Sequence, residues 1–192
     1  MDLHIANWIY DTFGSSKAIL TIAKVLTHIG DSVTIIALIA ILLIFKKTRK
    51  IGIYAAVAVL VAFSINNYVL KNIIARERPY AQNPELMKAL ELIDYKAPSD
   101  YSMPSGHSNA SMCLAVSVFM FDKKLGAFGI SLSVVCGITR MILCVHFLTD
   151  VLVGFAFGAS VAIGIHYLMN FIIKKINERK VTKNENNSSS NR

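Results

Sequence analysis

The stretch GITRMILCVHFLTD, residues 137–150, places an arginine, a histidine and an aspartate inside one of the most apolar parts of the chain. Ionisable groups at membrane depth persist mainly where they line a polar cavity and find partners, so they indicate a functional site. His146 and Asp150 are four residues apart. On a helix they share a face, and the carboxylate can hold one ring nitrogen while the other stays basic. Arg140 lies off that face, so we expect the helix to break between Arg140 and His146.

The composition around this stretch predicts an integral membrane protein of one domain. The 192 residues are 54% apolar, and their mean hydropathy is +0.51, which is too apolar for an ordinary soluble domain. The formal charge of +8 comes from basic residues beside apolar segments and in the C-terminal tail. Membrane topology explains this placement better than a nucleic-acid partner does. The cysteines (Cys113, Cys136, Cys144) match no zinc or redox spacing and are interpreted as packing residues.

Apolar runs separated by basic turns predict an all-α, polytopic membrane helix bundle with five to six spans. Residues 1–177 form its single membrane domain, in which 1–30 are interfacial or N-terminal helices, and 178–192 are a polar, disordered cytoplasmic tail. Whether residues 18–45 are one kinked helix or two elements is open. The positive-inside rule places the three basic turns in the cytoplasm: Lys46–Lys50, Lys123-Lys124 and Lys174-Lys175.

The loop that follows the 51–70 span is predicted to lie outside the cell. Residues 71–100 carry five basic and five acidic side chains, in contrast to the basic turns on the other side. Four apolar residues recur there at helical spacing: Leu86, Met87, Leu90 and Ile93. They predict either a short amphipathic helix resting on the membrane or a solvent loop with a local hydrophobic cluster.

The predicted topology brings three polar clusters to the exterior face: residues 71–78, 101–108 and 140–150. Lys71 and Arg78 are seven residues apart, which is about two helical turns, so we expect their charged ends on one face. Arg140 adds a third cation. Converging cations without matching acids call for a polyanion, and phosphate suits arginine in particular. The Ser105-Gly106 pair opens a helix and offers backbone N–H groups to such an anion.

Two histidines in these clusters, His107 and His146, can supply an acid and a nucleophile. Of the two, only His146 has a carboxylate, Asp150, at a sequence spacing that can orient and activate it. Other ionisable residues are given structural roles. Arg76, Lys88 and Lys96 are interpreted as interfacial anchors, and His4, His28 and His166 as interfacial or packed histidines. His28 with Asp31 forms a further polar pair at the outer end that could touch the site.

The three clusters resemble the three ordered motifs of the type 2 phosphatidic acid phosphatase family, which shares its core with vanadium haloperoxidases. They read Lys71-x6-Arg78-Pro79, Pro104-Ser105-Gly106-His107 and Thr139-Arg140-x5-His146-x3-Asp150. The resemblance covers roughly residues 71–150. The third motif of the family usually begins with serine, whose hydroxyl Thr139 retains.

The resemblance implies a role for each motif residue. His146 attacks phosphorus and forms a phosphohistidine, Asp150 orients it, and His107 protonates the leaving oxygen and later activates water. No metal or cofactor is implied, and a cation-rich pocket would repel a divalent ion. Phosphate binding is implied for Lys71, Arg78, Arg140, Ser105 and Gly106.

The sequence therefore predicts a multi-pass lipid phosphatase of a bacterial cell membrane, with its active site on the extracytoplasmic side. The resemblance suggests undecaprenyl diphosphate, phosphatidylglycerophosphate or phosphatidate as the substrate, and we rank the diphosphate first. No protein partner is indicated beyond the bilayer and the lipid substrate. One alternative is a non-enzymatic lipid-phosphate binder or transporter, which would not need His146 paired with Asp150. A haloperoxidase is disfavoured because those relatives are soluble.

Overall fold

The computed structural model describes the backbone of residues 1–190 and the side chains of residues 1–180. Residues 1–190 contain helices, turns and loops but no β-strand, as the predicted all-α class requires. Short 3-10 turns cover Thr27–Gly30 and Pro84–Leu86, and a π-helical turn covers Ile65–Leu70. In chain order the α-helices are α1 (Asp2–Phe13), α2 (Lys17–Leu26), α3 (Ser32–Ile44), α4 (Arg49–Ser64), α5 (Lys71–Ile74), α6 (Pro79–Gln82), α7 (Met87–Glu91), α8 (Gly106–Phe119), α9 (Lys123–Ile142) and α10 (Leu148–Ser190).

Helix α8 is the central element of the bundle. Nearly all of its side chains are buried, and it packs against α4, α9 and α10. Small residues of α10 allow the close approach, because a Cβ atom on Gly154 would lie 2.8 Å from the backbone oxygen of Ser105. The four-residue spacing of Gly154, Gly158 and Ala162 therefore marks the surface that receives α8. Since Gly106 begins α8, this packing also fixes the position of the Pro104-Ser105-Gly106-His107 motif along the bundle.

The segment 18–45, left open by the sequence, is two helices. A 3-10 turn ends α2, and α3 leaves it at an angle of 45°. Gly30 makes the turn compact, since a Cβ there would lie 2.9 Å from Cβ of His107 and 2.7 Å from Sγ of Cys136. The break between α2 and α3 is thus packed directly on α8 and α9.

Three segments within residues 1–180 are long and apolar enough to cross a membrane: Arg49–Gln82, Lys123–Ile142 and Leu148–Lys180. The bent pair α2 and α3 makes a fourth if it is one span. Helix α8 has 14 residues, or about 21 Å, which is short for a ~30 Å hydrocarbon core. The long apolar segments make the chain an α-helical membrane protein. Because α8 is too short to count clearly as a span, the number of five to six spans stays a prediction.

The loop of residues 71–100, here called the exterior loop after its predicted location, differs from both predicted placements. Helix α7 forms where the apolar spacing predicted a helix, but Leu86 and Leu90 are fully buried in the protein, against Leu20 of α2 and Val145. They face neither the membrane nor solvent. The loop is therefore part of the folded core at this end of the bundle.

At the opposite end α10 does not stop at Lys174-Lys175, and its backbone continues to Ser190. The side chains of residues 181–190 and all of residues 191–192 lie outside the part of the chain that the structure describes. The disordered tail predicted for 178–192 stays a prediction.

Candidate active site

The predicted site residues lie at one end of the bundle because each belongs to a helix terminus there. Lys71 begins α5, directly after the π-helical turn that ends α4. Ser105 is the N-cap of α8, Arg140 lies in the last turn of α9, and Asp150 lies in the first turn of α10. Helix termini carry unpaired backbone groups and partial charges. The fold therefore gathers charged side chains and helix ends in one region.

A cavity of about 240 Å³ opens between these termini. Lys71, Arg78 and Arg140 line it together with Gly106 and His107. Ser105 and His146 are not among its lining residues and lie behind them, almost fully buried. The structure thus brings three cations and one histidine to a shared pocket, with the second histidine buried behind the lining residues.

Lys71 and Arg78 meet by a different route from the predicted one. The helix ends at Ile74, and Ala75 adopts a left-handed conformation with φ 47°, so the two residues do not share a helix face. Both instead bind Asp100 of the exterior loop, Lys71 through Nζ and Arg78 through Nη2 at 2.7 Å. Burial alone would raise the pKa of Asp100, but the hydrogen bonds and charges of Lys71 and Arg78 outweigh it and lower the pKa to about 2. Asp100 is therefore a carboxylate at neutral pH.

Arg78 also fixes the turn that carries His146. Its Nη1 donates to the carbonyl oxygen of Val145 at 2.7 Å and lies 3.3 Å from Nε2 of His146. Its Nε donates to the backbone oxygen of Asp100 at 2.7 Å. The guanidinium consequently connects the cavity to His146.

Arg140 is 1% exposed, and its charge has no acidic partner within 4.0 Å among the side chains of residues 1–180. Its Nη1 donates to Oγ1 of Thr27 at 3.0 Å and to the hydroxyl of Tyr95 at 2.9 Å. Its buried Nε has no hydrogen-bond partner in that part of the chain. A buried cation with a spare donor is suited to an anionic ligand.

The predicted helix break is confirmed, and it places His146 in a turn. Helix α9 ends at Ile142 and α10 begins at Leu148, with Cys144 in the left-handed region at φ 54°. His146 and Asp150 therefore do not share a helix, yet their Nδ1 and Oδ2 atoms are 3.5 Å apart. No hydrogen bond satisfies Nδ1 of His146 in the described chain. The spacing argument found the pair but gave the wrong geometry for it.

Asp150 is fully buried and organises this turn. Its Oδ2 accepts from the backbone N–H of Phe147 at 2.8 Å and from the hydroxyl of Ser102. Its Oδ1 accepts from Nη1 of Arg76 at 2.7 Å. Arg76 also donates to Asp2 at 2.8 Å, so the interpretation of Arg76 as an interfacial anchor is wrong. It ties α1, the exterior loop and the His146 turn together.

The electrostatics keep His146 neutral. Burial lowers the pKa of His146 well below its ordinary value, and the positive charges of Arg78, Arg140 and Lys71 lower it further. A neutral imidazole has a free lone pair, which nucleophilic attack requires.

In the second motif, Ser105 stabilises the start of α8, whereas Gly106 and His107 face the cavity. Ser105 accepts from the hydroxyl of Ser108 at 3.0 Å, and its backbone N–H donates to the carbonyl oxygen of Asp150 at 3.0 Å. Gly106 faces the cavity, where a Cβ would meet only Oδ1 of Asn67 at 3.8 Å. Ser105 thus caps α8, and Gly106 leaves backbone open to a ligand. His107 lines the cavity, and its Nε2 lies 2.6 Å from Oδ1 of Asp31.

Sequence reasoning missed Asp100, Tyr95 and Arg76 as members of the site. The zero net charge of the exterior loop was a signal that its acids pair with nearby cations. The partners themselves lie 22 to 74 residues apart in sequence. At such separations, helical spacing does not predict which side chains are in contact. The His28–Asp31 pair was noted, and Asp31 does reach the site through His107.

Residues 50–174 match the family model of the PAP2 superfamily, and the chain belongs to it. The fold agrees with this assignment. A crystal structure of a transmembrane PAP2 type phosphatidylglycerolphosphate phosphatase from Bacillus subtilis superposes with a TM-score of 0.71 at 25% identity, covering 89% of this chain and 85% of that one.

Three curated relatives are similar in sequence. Undecaprenyl-diphosphatase of Sulfolobus acidocaldarius is 32% identical over 138 residues, which are 71% of this chain and 64% of that protein's length. Bacitracin transport permease protein BcrC of Bacillus licheniformis is 29% identical over 154 residues, 75% of this chain and 73% of the relative. Phosphatidylglycerophosphatase B of Bacillus subtilis is 28% identical over 172 residues, 80% of this chain and 73% of the relative.

Proposed function

We propose that this protein is a membrane lipid phosphatase that works through a phosphohistidine on His146. The observation that carries the proposal is the buried, neutral imidazole beside a pocket lined by Lys71, Arg78 and Arg140. Membership of the PAP2 superfamily and two relatives named as phosphatases support it.

The reaction has two halves. Phosphate oxygens replace the Asp100 carboxylate on Lys71 and Arg78 and take the spare donor of Arg140. The Nε2 lone pair of His146 attacks phosphorus, the bond from phosphorus to the leaving oxygen breaks, and protonated His107 gives that oxygen its proton. Neutral His107 then takes a proton from water, whose oxygen attacks phosphorus as the P–N bond breaks. Phosphate leaves, and both histidines return to their starting states.

An apolar groove beside the pocket supports a lipid substrate. The groove measures about 510 Å³ and lies between α3 and α4, and it shares Ser32, Phe63 and Ala110 with the phosphate pocket. A hydrocarbon chain attached to a phosphate in the pocket can enter it without crossing a polar surface. Among lipids we rank undecaprenyl diphosphate first, ahead of phosphatidylglycerophosphate and phosphatidate, in keeping with the name of the 32% identical relative.

We place the active site on the extracytoplasmic side of a bacterial cell membrane. Lys50 lies over the ring of Phe121 at 5.6 Å, and Tyr54 donates to Asn170 at 2.8 Å. The basic turns therefore share the end of the bundle opposite to the site. Under the positive-inside rule that end is cytoplasmic.

The test is phosphate release from a panel of lipid phosphates by purified protein in detergent, with EDTA present because no step of the proposal uses a metal. Parent protein should release phosphate, and His146→Ala should lose more than 1000-fold in turnover, since covalent catalysis is lost. Turnover of His146→Ala within tenfold of the parent would contradict the nucleophile, and a requirement for added magnesium would contradict the metal-free site.

The alternative of a binder or transporter draws on the relative named as a bacitracin transport permease. It predicts lipid-phosphate binding without turnover, and binding unchanged in His146→Ala. The panel separates the two readings, because only an enzyme converts the bound lipid.

A further inference from the structure

Asp31 occupies a helix N-cap without capping its helix. It precedes α3, and its side chain makes no cap hydrogen bond there. Asp122, at the N-cap of α9, shows the ordinary arrangement and accepts from the backbone N–H groups of Lys124 and Leu125 at 3.0 Å. The carboxylate of Asp31 turns instead to two histidines. Oδ1 lies 2.6 Å from Nε2 of His107, and Oδ2 contacts Nδ1 of His28.

The chain around Asp31 is built to hold this contact. Gly30 packs against His107, where any side chain would collide. Thr27, at the start of the same 3-10 turn, is 1% exposed and receives a hydrogen bond from Arg140 at 3.0 Å. The turn that precedes Asp31 is therefore anchored at its first and last residues, which restricts movement of the Asp31 carboxylate away from His107.

The contact decides which ring nitrogen of His107 serves the substrate. Because the carboxylate accepts a hydrogen bond from Nε2–H, Nδ1 is the nitrogen that gains and loses a proton. Within the described side chains Nδ1 of His107 makes no hydrogen bond, and the residue lines the phosphate pocket. This is the arrangement that a proton donor to a leaving oxygen requires.

The charges around His107 explain why it needs a carboxylate. Lys71 and Arg140 line the same pocket and disfavour a protonated imidazole. Burial lowers the pKa of His107, and the charges of these two cations lower it further, whereas the hydrogen bond and charge of Asp31 raise it. Asp31 is the acidic group in hydrogen-bond contact with His107, and it lines the same cavity. His28, whose side chain is 62% exposed, binds the other carboxylate oxygen and restrains its orientation.

We propose that Asp31 is a positioning residue that favours protonation of His107 at both nitrogens and directs Nδ1–H at the leaving oxygen. The inference rests on the proposed function. In the first half-reaction the Nδ1–H bond breaks as the leaving oxygen gains the proton. In the second, Nδ1 takes a proton from the attacking water. Asp31 stays ionised throughout.

Leaving-group dependence of kcat/KM tests this role in Asp31→Asn. An alkyl phosphate needs a proton on its leaving oxygen, whereas p-nitrophenyl phosphate leaves as a stabilised phenolate. We expect kcat/KM for a short-chain alkyl phosphate to fall roughly 100-fold, within the range of general-acid effects, and kcat/KM for p-nitrophenyl phosphate to change less than about threefold. The alkaline limb of the alkyl-phosphate profile should move to lower pH, because His107 loses its proton more easily.

Equal losses on both substrates would overturn the inference, as would no loss on either. A double-mutant cycle separates positioning from folding. In a His107→Ala background, Asp31→Asn should cost less than about twofold, and a loss as large as in the parent would show that Asp31 acts elsewhere. Asp122→Asn is the matched control, since it makes the same charge change at a helix N-cap where asparagine also caps, and it should show no leaving-group dependence. Absence of phosphate release from the parent would instead refute the proposed function.

Discussion

Arg140, Lys71 and Arg78 face one cavity, but only two of these cations share an internal carboxylate. That asymmetry places the unbalanced charge of the site on α9, next to His146. It also keeps the imidazole neutral, because a proton on His146 would add a fourth positive charge to a buried cluster. At the residue scale, the proposed mechanism depends on His146 being unprotonated when substrate binds.

The pH dependence of kcat/KM follows from that state. Burial and the charges of Arg78 and Arg140 lower the pKa of His146, so this proposed nucleophile stays deprotonated as the pH falls through 6.5, the ordinary histidine value. We expect the acid limb contributed by His146 to lie below pH 6.5 once the separately measured titration of the substrate phosphate is removed. If the acid limb contributed by the enzyme lay at or above pH 6.5, His146 would have to be solvated and its pKa would not be lowered.

The sequence predicted these residues better than it predicted their contacts. The run from Arg140 to Asp150 required a helix break, and the break is present at Leu143–Phe147. Asp100 and Arg76 were not recognised, since each acts on a partner far along the chain. The left-handed Ala75 could not be predicted either, because alanine normally avoids that conformation and only the tertiary contacts impose it.

At the scale of elements, α3 separates two apolar grooves. One lies against α4 and continues into the phosphate pocket, and the other lies against α8 and α9 and shares no lining residue with that pocket. Apolar periodicity predicts that α3 is buried or lipid-facing but not which of its sides adjoins the site. That distinction depends on the 45° bend after the 3-10 turn.

Ala40 and Leu38 give a matched test of the groove. Both are exposed on α3, and Ala40 lines the groove that reaches the pocket while Leu38 lines the other. Ala40 lies about 12 Å along the helix from Ser32, beyond the reach of a four-carbon chain. Ala40→Phe should lower kcat/KM for a long-chain lipid phosphate by roughly tenfold or more, since each excluded methylene costs about 0.8 kcal/mol.

The control variant Leu38→Phe should leave long-chain activity within about twofold of the parent, and neither variant should affect a four-carbon phosphate. Equal effects of the two substitutions on the long-chain substrate would show that the hydrocarbon does not occupy the groove between α3 and α4.

At the scale of the whole molecule, the site and the basic turns occupy opposite ends of the bundle. The basic turns were found from composition alone, because the positive-inside rule needs no tertiary information. The buried position of α7 was not, since apolar spacing marks an amphipathic helix without naming what covers it. The sequence therefore predicts most directly which end of the bundle faces the cytoplasm.

Single cysteines at Lys47 and Ser99 test it, because both positions are exposed and the native cysteines are buried. In a cysteine-free variant on intact cells, a membrane-impermeant maleimide should label Ser99→Cys, which lies in the exterior loop, and should spare Lys47→Cys until the cells are permeabilised. The reverse labelling pattern would put the active site in the cytoplasm.

If Lys71 and Arg78 bind phosphate as proposed, Asp100 acts as an internal competitive inhibitor, because its carboxylate occupies their donors. Such a competitor weakens substrate binding, but it weakens binding of the released phosphate equally and so speeds product departure. Asp100→Asn should therefore bind inorganic phosphate roughly three- to tenfold more tightly, a modest gain since the carboxylate is 54% exposed. The phosphate inhibition constant measures it, with Glu85→Gln of the same loop as the charge-matched control. An unchanged constant would mean that Asp100 stays in place during catalysis, whereas a lowered one would show an enzyme that limits its own affinity in order to turn over.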